Sequence, residues 1–318
     1  MITEVLIFIA GLIALSWSAD RFVYGASALA TNIGVSSMVI GLTIVAMGSS
    51  APEIVVSATA SLNNNPDTAV GNAIGSNITN IALVLGLTAL YKPLLVSSST
   101  VRREMPILLG FSLLAIYFLA DRQLEFYEGV ILICLFFVSI AGLTWLSLSV
   151  EKGDPLQAET EDEIPHGVPI KNAIFWVLVG LIMLPVSAHF MVDSAVEIAR
   201  FFGMSELVIG LTIIAFGTSL PELAASIAGV MKGEDDLALG NIIGSNIFNL
   251  LAVLAMPGLF APGLIDESVA SRDIFVMLTM TVLLIAFSFN FRGTRRINRW
   301  EGGVLVTCYL IYCYVLFQ

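Results

Sequence analysis

The chain is 318 residues long, 57% hydrophobic and only 12% charged, with a mean hydropathy of +0.92 and a formal net charge of −11. A soluble domain carries about 25% charged residues, so this composition excludes a water-exposed globular surface and points to an all-α polytopic membrane protein. The acidic balance and the lack of a basic cluster exclude nucleic acid as a partner and leave the lipid bilayer as the solvent. Cys134, Cys308 and Cys313 lie in apolar runs without metal-ligand spacing and read as small packing residues.

Ten spans follow one another at about the roughly 20-residue length that crosses a bilayer: 4–29, 38–61, 68–90, 105–120, 126–148, 172–199, 206–230, 237–259, 273–290 and 301–317. The first lacks a basic leader segment and carries Glu4, so it reads as a retained span and not as a removed signal. Connections are short except for 149–171, a polar, Pro- and Gly-punctuated stretch that holds the acidic segment from Glu151 to Glu163 and reads as a solvated loop. The expected organisation is a first five-helix unit over 1–148, this linker over 149–171, and a second five-helix unit over 172–318.

The two units are copies. GLTIVAMGSSAPEIVVS from Gly41 returns as GLTIIAFGTSLPELAAS from Gly210, and GNAIGSNITNIALVLG from Gly71 returns as GNIIGSNIFNLLAVLA from Gly240. Both pairs are 169 residues apart, with ten of 17 and ten of 16 positions identical. An odd number of spans per unit sends the second unit into the membrane from the opposite side. Ten transmembrane helices in two inverted-topology repeats is a recurring plan of secondary transporters, whose substrate sites lie near the midplane. With the N-terminus outside, ten of the Lys and Arg residues fall in inner loops and three in outer ones. The positive-inside rule therefore puts both termini outside and the acidic loop in the cytoplasm, in a plasma (inner) membrane.

The chemistry sits in the repeated motifs. Pro52 has no N–H to offer the carbonyl of Gly48, and Ser49 and Ser50 compete for backbone bonds, so span 2 should break in mid-membrane. Glu53 follows at once. Span 7 repeats the arrangement with Gly217, Thr218, Ser219, Pro221 and Glu222. Spans 3 and 8 supply Ser76 with Asn80 and Ser245 with Asn249, each pair four residues apart on one helix face. Asn72, Asn77, Asn241 and Asn246 add amides, and the G-x-x-x-G pairs Gly71/Gly75 and Gly240/Gly244 permit close helix approach. Every candidate ligand is oxygen, which suits Ca²⁺, Na⁺ or Mg²⁺ and not zinc or copper, and a flexible mixed site fits Ca²⁺ better than Mg²⁺. Ionisable residues inside a membrane are costly and mark ion pathways.

Other polar residues read as structural. Asp20 and Arg21 pair with each other or with loop groups. Asp193 and Glu197 line a vestibule or an interface. His189 packs. Arg103-Glu104 and Arg272-Asp273 anchor spans 4 and 9 at the interface.

The motifs GSSAPE and GTSLPE, each followed by GN-x-x-GSNI-x-N, resemble the α-repeat signatures of the sodium/calcium exchanger family, within the cation/calcium exchanger superfamily, in its compact bacterial form. The resemblance covers nearly the whole chain. It implies that Glu53 and Glu222 are the central carboxylates shared by Ca²⁺ and Na⁺. It makes Ser49, Ser50, Thr218 and Ser219 their neighbouring ligands, Ala46 and Ala215 donors of main-chain oxygen, and Ser76, Asn80, Ser245 and Asn249 the rest of the ring. It also implies that spans 1 and 6 slide as a pair. Ser49 stands where Thr is common. Asn249 stands where some relatives, including potassium-dependent ones, carry Asp, which implies potassium independence.

The expected protein is a secondary active antiporter and not an enzyme, with no cofactor, exchanging Na⁺ for Ca²⁺ at one shared midplane site. A Ca²⁺/H⁺ antiporter on the same fold is the alternative. An intramembrane hydrolase would need a Ser–His or paired-Asp constellation, which is not evident around His166, His189 or Asp20. A passive channel would show no fixed ion stoichiometry.

Overall fold

The computed structural model describes residues 2–33, 48, 50–96, 100–148, 167–232, 235–289 and 296–318. In the first repeat these form α1 (Ile2–Asn32), α2 (Ala51–Leu62), α3 (Pro66–Thr79), α4 (Gly86–Tyr91), α5 (Met105–Leu119) and α6 (Phe126–Leu148). In the second they form α7 (Ile170–Phe202), α8 (Glu206–Ile209), α9 (Ala215–Thr218), α10 (Leu220–Lys232), α11 (Asp235–Phe248), α12 (Ala255–Phe260), α13 (Ile274–Ser288) and α14 (Arg299–Leu316). Wider π-helical turns join α3 to α4 (Asn80–Leu85), α8 to α9 (Gly210–Ile214) and α11 to α12 (Asn249–Val253), and lead into α5 (Thr100–Glu104) and α13 (Val269–Asp273). The described helices thus group into ten rods, in the expected order. The first half of the expected span 38–61 lies outside the described residues.

Six rods are long and apolar enough to cross a membrane by length and composition alone, and Ala51–Leu62 and Phe126–Gly142 are shorter apolar helices. Inside lipid each backbone N–H and C=O must be satisfied within its own segment, which favours helices throughout.

The repeat is as regular in structure as in sequence. Pro66–Thr79 and Asp235–Phe248, Gly86–Tyr91 and Ala255–Phe260, and Met105–Leu119 and Ile274–Ser288 are all related by the same 169-residue shift. Four two-residue strands show the inversion directly: β1 (Leu94–Leu95), β2 (Gln123–Leu124), β3 (Gly263–Leu264) and β4 (Arg296–Ile297). β1 pairs with β4 and β2 with β3, both antiparallel. Each pair joins the connection after the third span of one repeat to the connection after the fourth span of the other. Those connections emerge on opposite membrane faces within a repeat, so they meet only if one repeat is upside down.

The core is built on the motif-bearing rods. The apolar windows of α3–α4 and α11–α12 are 89% and 83% buried, whereas those of α1 and α7 are 28% and 29% buried. The former are enclosed by protein and the latter flank it. Glycine sets the closest approach. A Cβ on Gly71 would lie 2.7 Å from the Leu207 carbonyl oxygen, and one on Gly75 would lie 2.7 Å from Leu211 Cα. This seats α3 directly against the α8–π segment, as the G-x-x-x-G pair predicts. For Gly240 and Gly244 the repeat-equivalent partners fall within 38–42, outside the described residues.

α1 and α7 lie antiparallel along each other. Gly11 meets Met191, Gly180 meets Phe22 and Gly25 meets Ala173 and Val177. This pair is not placed symmetrically on the core. α7 packs along α2, with Ala188, Met191, Val192 and Ala195 in one buried cluster with Val56, Ala60, Ile209 and Ile214. Among the described residues α1 makes no comparable packing against α10.

Candidate functional site

The expected interruptions are present, and they are slight. Ser219 has φ −85° and ψ 2°, and Ser50 has φ −92° and ψ 3°. Each ends one helical segment or precedes the next, with proline in the first turn of α2 placing it where its missing N–H costs nothing. The hydrogen-bond ladder bridges the kink in the second repeat. Ser219 N–H donates to the Ala215 carbonyl at 3.1 Å, and Leu223 N–H donates to that of Ser219, also at 3.1 Å. The sequence suggested a wider break. Glu53 and Glu222 both fall in the first turn of a helix, where the positive end of the helix dipole favours a carboxylate.

Both glutamates are fully buried. The Glu222 carboxylate and the Thr218 hydroxyl are the charged and polar neighbours of the Glu53 carboxylate. Yet neither carboxylate oxygen of Glu53 receives a hydrogen bond, and Oε2 of Glu222 receives none. Ser245 Oγ donates to the Oε1 of Glu222 at 3.4 Å. Among the other expected ligands, buried polar atoms also lack partners: Ser50 Oγ, Ser219 Oγ, Asn80 Oδ1, and both Oδ1 and Nδ2 of Asn249. Buried polar atoms are ordinarily satisfied, so two neighbouring buried carboxylates with unpartnered oxygens are an arrangement that a cation would resolve. Among the described residues no group of three or more His, Cys, Asp or Glu gathers to hold a metal, at this site or at any other, so the further oxygens here come from hydroxyls, amides and main chain.

The remaining expected ligands divide. Asn80 Nδ2 donates to Asn246 Oδ1 at 3.1 Å, tying α3's π turn to α11. Ser76 Oγ turns to Asn72 Oδ1 at 3.5 Å and not to Glu53. The Ala215 carbonyl, expected as a free main-chain ligand, accepts the Ser219 N–H at 3.1 Å and faces the Thr218 hydroxyl at 3.4 Å. Thr218 Oγ1 also lies 3.1 Å from the Ile214 carbonyl. One proton serves one of these acceptors, which leaves its lone pairs available. Ala46 and Ser49 lie outside the described residues. Asn77 bonds back to the Ala73 carbonyl of its own helix at 2.8 Å and takes no part.

Two residues matter more than their sequence reading suggested. Asn72 is the junction of the first repeat's site. Its Nδ2 donates to the Glu53 backbone carbonyl at 3.1 Å and lies 3.3 Å from Ser57 Oγ, while its Oδ1 faces Ser76 and Thr218. Ser57 Oγ in turn donates to the Ala69 carbonyl at 3.0 Å. The available signal was that Ser57 and its counterpart Ser226 are identical at the end of the first motif.

Outside the site, three readings change or sharpen. His189 does not merely pack: its Nε2 is 3.4 Å from Asp193 Oδ2, and Asn63 at the end of α2 donates to Asp193 Oδ1 at 3.2 Å. Asp20 and Arg21 pair with each other at 2.9 Å. Asp273 is more than an interfacial anchor, being fully buried, held by Arg272 at 2.7 Å and by the Tyr312 hydroxyl at 2.9 Å.

Residues 3–145 and 172–318 match the family described as "Sodium/calcium exchanger protein". The chain is 52% identical, over the full length of both, to a protein of Alkalimonas amylolytica named as the antiporter CaxA. It is 31% identical over 350 residues, 98% of each chain, to the sodium/calcium exchanger MaX1 of Methanosarcina acetivorans. Its fold matches a solved structure of the sodium-calcium exchanger NCX_Mj soaked with Na⁺ and Sr²⁺, with TM-score 0.65, 33% identity and 98% of both chains covered. A ten-rod inverted repeat around two buried glutamates and a family match through both halves lead to one conclusion: the chain belongs to the sodium/calcium exchanger family of membrane antiporters.

Proposed function

We propose that the protein exchanges Na⁺ for Ca²⁺ through one shared site between the repeats, bound by Glu53 and Glu222. The observation that carries this reading is a pair of neighbouring, fully buried carboxylates whose oxygens, but for one bond from Ser245, have no hydrogen-bond partner. Two carboxylates balance one Ca²⁺, and a flexible oxygen cage suits Ca²⁺ better than Mg²⁺, which demands near-ideal octahedral geometry. Thr218, Ser50, Ser219, Ser245, Asn80 and Asn249 supply further oxygens, and the family resemblance adds Ser49 and the main chain of Ala46, which lie outside the described residues. Asn72 and Ser76 orient them from behind, and the carbonyl of Ala215 adds a lone pair.

Coupling follows from charge. With no cation bound, two like charges sit in a low-dielectric interior, each costing several kcal/mol. The bare site therefore does not cross between access states, and either ion is carried only against the other. The kinks at Ser50 and Ser219 give the helices a joint at the depth of the site, and α1 with α7 forms the moving pair.

Residues 1–148 and 172–318 act as the two repeats about an acidic cytoplasmic linker, 149–171. Both termini face outward from the plasma (inner) membrane, as the ten-to-three distribution of inner and outer basic residues requires. The test is ⁴⁵Ca²⁺ uptake into proteoliposomes with and without an opposing Na⁺ gradient, for native protein and Glu53→Gln. Uptake that ignores both the gradient and the substitution rejects the proposal. Uptake driven by a pH gradient and indifferent to Na⁺ moves the protein to the Ca²⁺/H⁺ alternative, in which the glutamates release protons.

A further inference from the structure

The two repeats differ in chemistry at one register of α1 and α7, the pair of helices that flanks the core. A half-open cavity of about 200 Å³ lies between α1 and the starts of the two helices that carry Glu53 and Glu222. Ser16, Asp20 and Val23 of α1 form one wall, and Gly48 and Pro52 the other, with Pro221 behind. Pro52 and Pro221, which line it, immediately precede Glu53 and Glu222 in the chain. Asp20 is the charged side chain among its described lining residues, and it is 67% exposed. Its neighbour Arg21 is paired to it through one oxygen at 2.9 Å. The same Arg21 guanidinium also lies over the rings of Trp176, at 5.5 Å, and Tyr24, at 5.8 Å.

The repeat places His189 where the first copy has Asp20. On that side the ring faces Asp193 and Asn63, and α7 is closed onto α2 by a buried apolar cluster. At this register the first repeat therefore carries a carboxylate and the second an imidazole, itself paired with Asp193 one turn further on. An inverted repeat with identical gates would treat both faces alike, and this one does not.

We propose that Asp20 is a cation-recruiting residue that acts from one face of the membrane only, the cytoplasmic face in the orientation given above. This rests on the shared-site reading. A carboxylate that lines a cleft with low-dielectric walls focuses its field and raises the local cation concentration. The energy scales with ionic charge, so the enrichment of a divalent ion is the square of that of a monovalent one. About tenfold for Ca²⁺ then corresponds to about threefold for Na⁺. Screening shrinks both as ionic strength rises towards 1 M, where the Debye length falls to about 3 Å.

The experiment measures exchange in right-side-out and everted membrane vesicles carrying the full chain, as native protein, Asp20→Asn, Asp20→Glu, Arg21→Gln and Glu53→Gln. Asp20→Asn is expected to raise the cytoplasmic-face KM for Ca²⁺ about tenfold and for Na⁺ about threefold at low ionic strength, with the external-face KM unchanged. The difference should collapse in high choline chloride, and Asp20→Glu should restore native values. Arg21→Gln, which frees the carboxylate, should lower the same KM, and it keeps the test decisive if Asp20→Asn fails to fold. Equal shifts at both faces, or shifts independent of valence and salt, overturn the inference. Glu53→Gln separates the two readings. If it abolishes exchange from both faces while Asp20→Asn does nothing sided, the recruiting role alone is wrong. If it leaves exchange intact, the shared site is wrong and the recruiting role falls with it.

Discussion

Replacing Glu53 by glutamine keeps the shape of the side chain and removes one of two buried like charges. It should therefore move two measurable quantities in opposite directions. Without cations the variant should be more stable than the native protein, because neither Glu53 oxygen receives a hydrogen bond and its charged neighbour is Glu222. A buried ion of this kind costs several kcal/mol. With Ca²⁺ present the order should reverse. Removing one partner from a buried charged set costs about 3–5 kcal/mol, which at 1.4 kcal/mol per decade weakens Ca²⁺ binding about 100- to 4,000-fold. At a free Ca²⁺ of about 100 times the native Kd, the native protein gains about 2.7 kcal/mol. The variant at the same concentration gains less than about 0.5 kcal/mol. Thermal unfolding in detergent, with EGTA or with Ca²⁺, reads both: a higher Tm than native in EGTA and little further rise on adding Ca²⁺. Glu222→Gln should lose the Ca²⁺ effect similarly but gain less in EGTA, since Glu222 already receives one bond, from Ser245. If Glu53→Gln melts lower than native in EGTA and keeps the full Ca²⁺ shift, Glu53 is a structural contact and the reasoning fails.

Gly75→Ala would place a methyl group 2.7 Å from the Leu211 backbone, and overpacking of this kind costs about 1–3 kcal/mol, so its Tm should fall and transport with it. Asn72→Ala removes a buried amide serving the Glu53 carbonyl and leaves that carbonyl and Ser57 short of a donor. A loss of about 1–3 kcal/mol is expected, seen as weaker Ca²⁺ binding by isothermal titration, and an unchanged affinity would remove Asn72 from the site. Replacing K⁺ by choline should leave Na⁺-driven Ca²⁺ flux unchanged in the native protein, whereas Asn249→Asp, adding a third carboxylate to the ring, should make the flux respond to K⁺. Tyr312→Phe strips a hydrogen bond from fully buried Asp273 and should lower Tm by the equivalent of about 1–3 kcal/mol without altering the KM for either ion.

Much of this protein could be read before any coordinate. A bilayer makes every backbone group seek a partner within its own segment, so the spans are local events and their order followed from apolar length alone. The duplication at one offset, and the odd number of spans in each copy, fixed the inversion that the β1–β4 and β2–β3 pairings display. Pro52 and Pro221 next to Glu53 and Glu222 marked the kinks and the carboxylates, because proline's missing N–H acts where it stands. What depended on several chains of contact was not legible. Asn72 and Asn77 are both asparagines of one motif, five residues apart. One ties Glu53, Ser57 and Thr218 together and the other bonds its own helix, and only packing against α2 and α9 distinguishes them. Asp20 and His189 occupy one register in two copies of the same unit. That one lines a cavity and the other closes an interface was decided by how α1 and α7 lie across the core, a placement that no local pattern encodes.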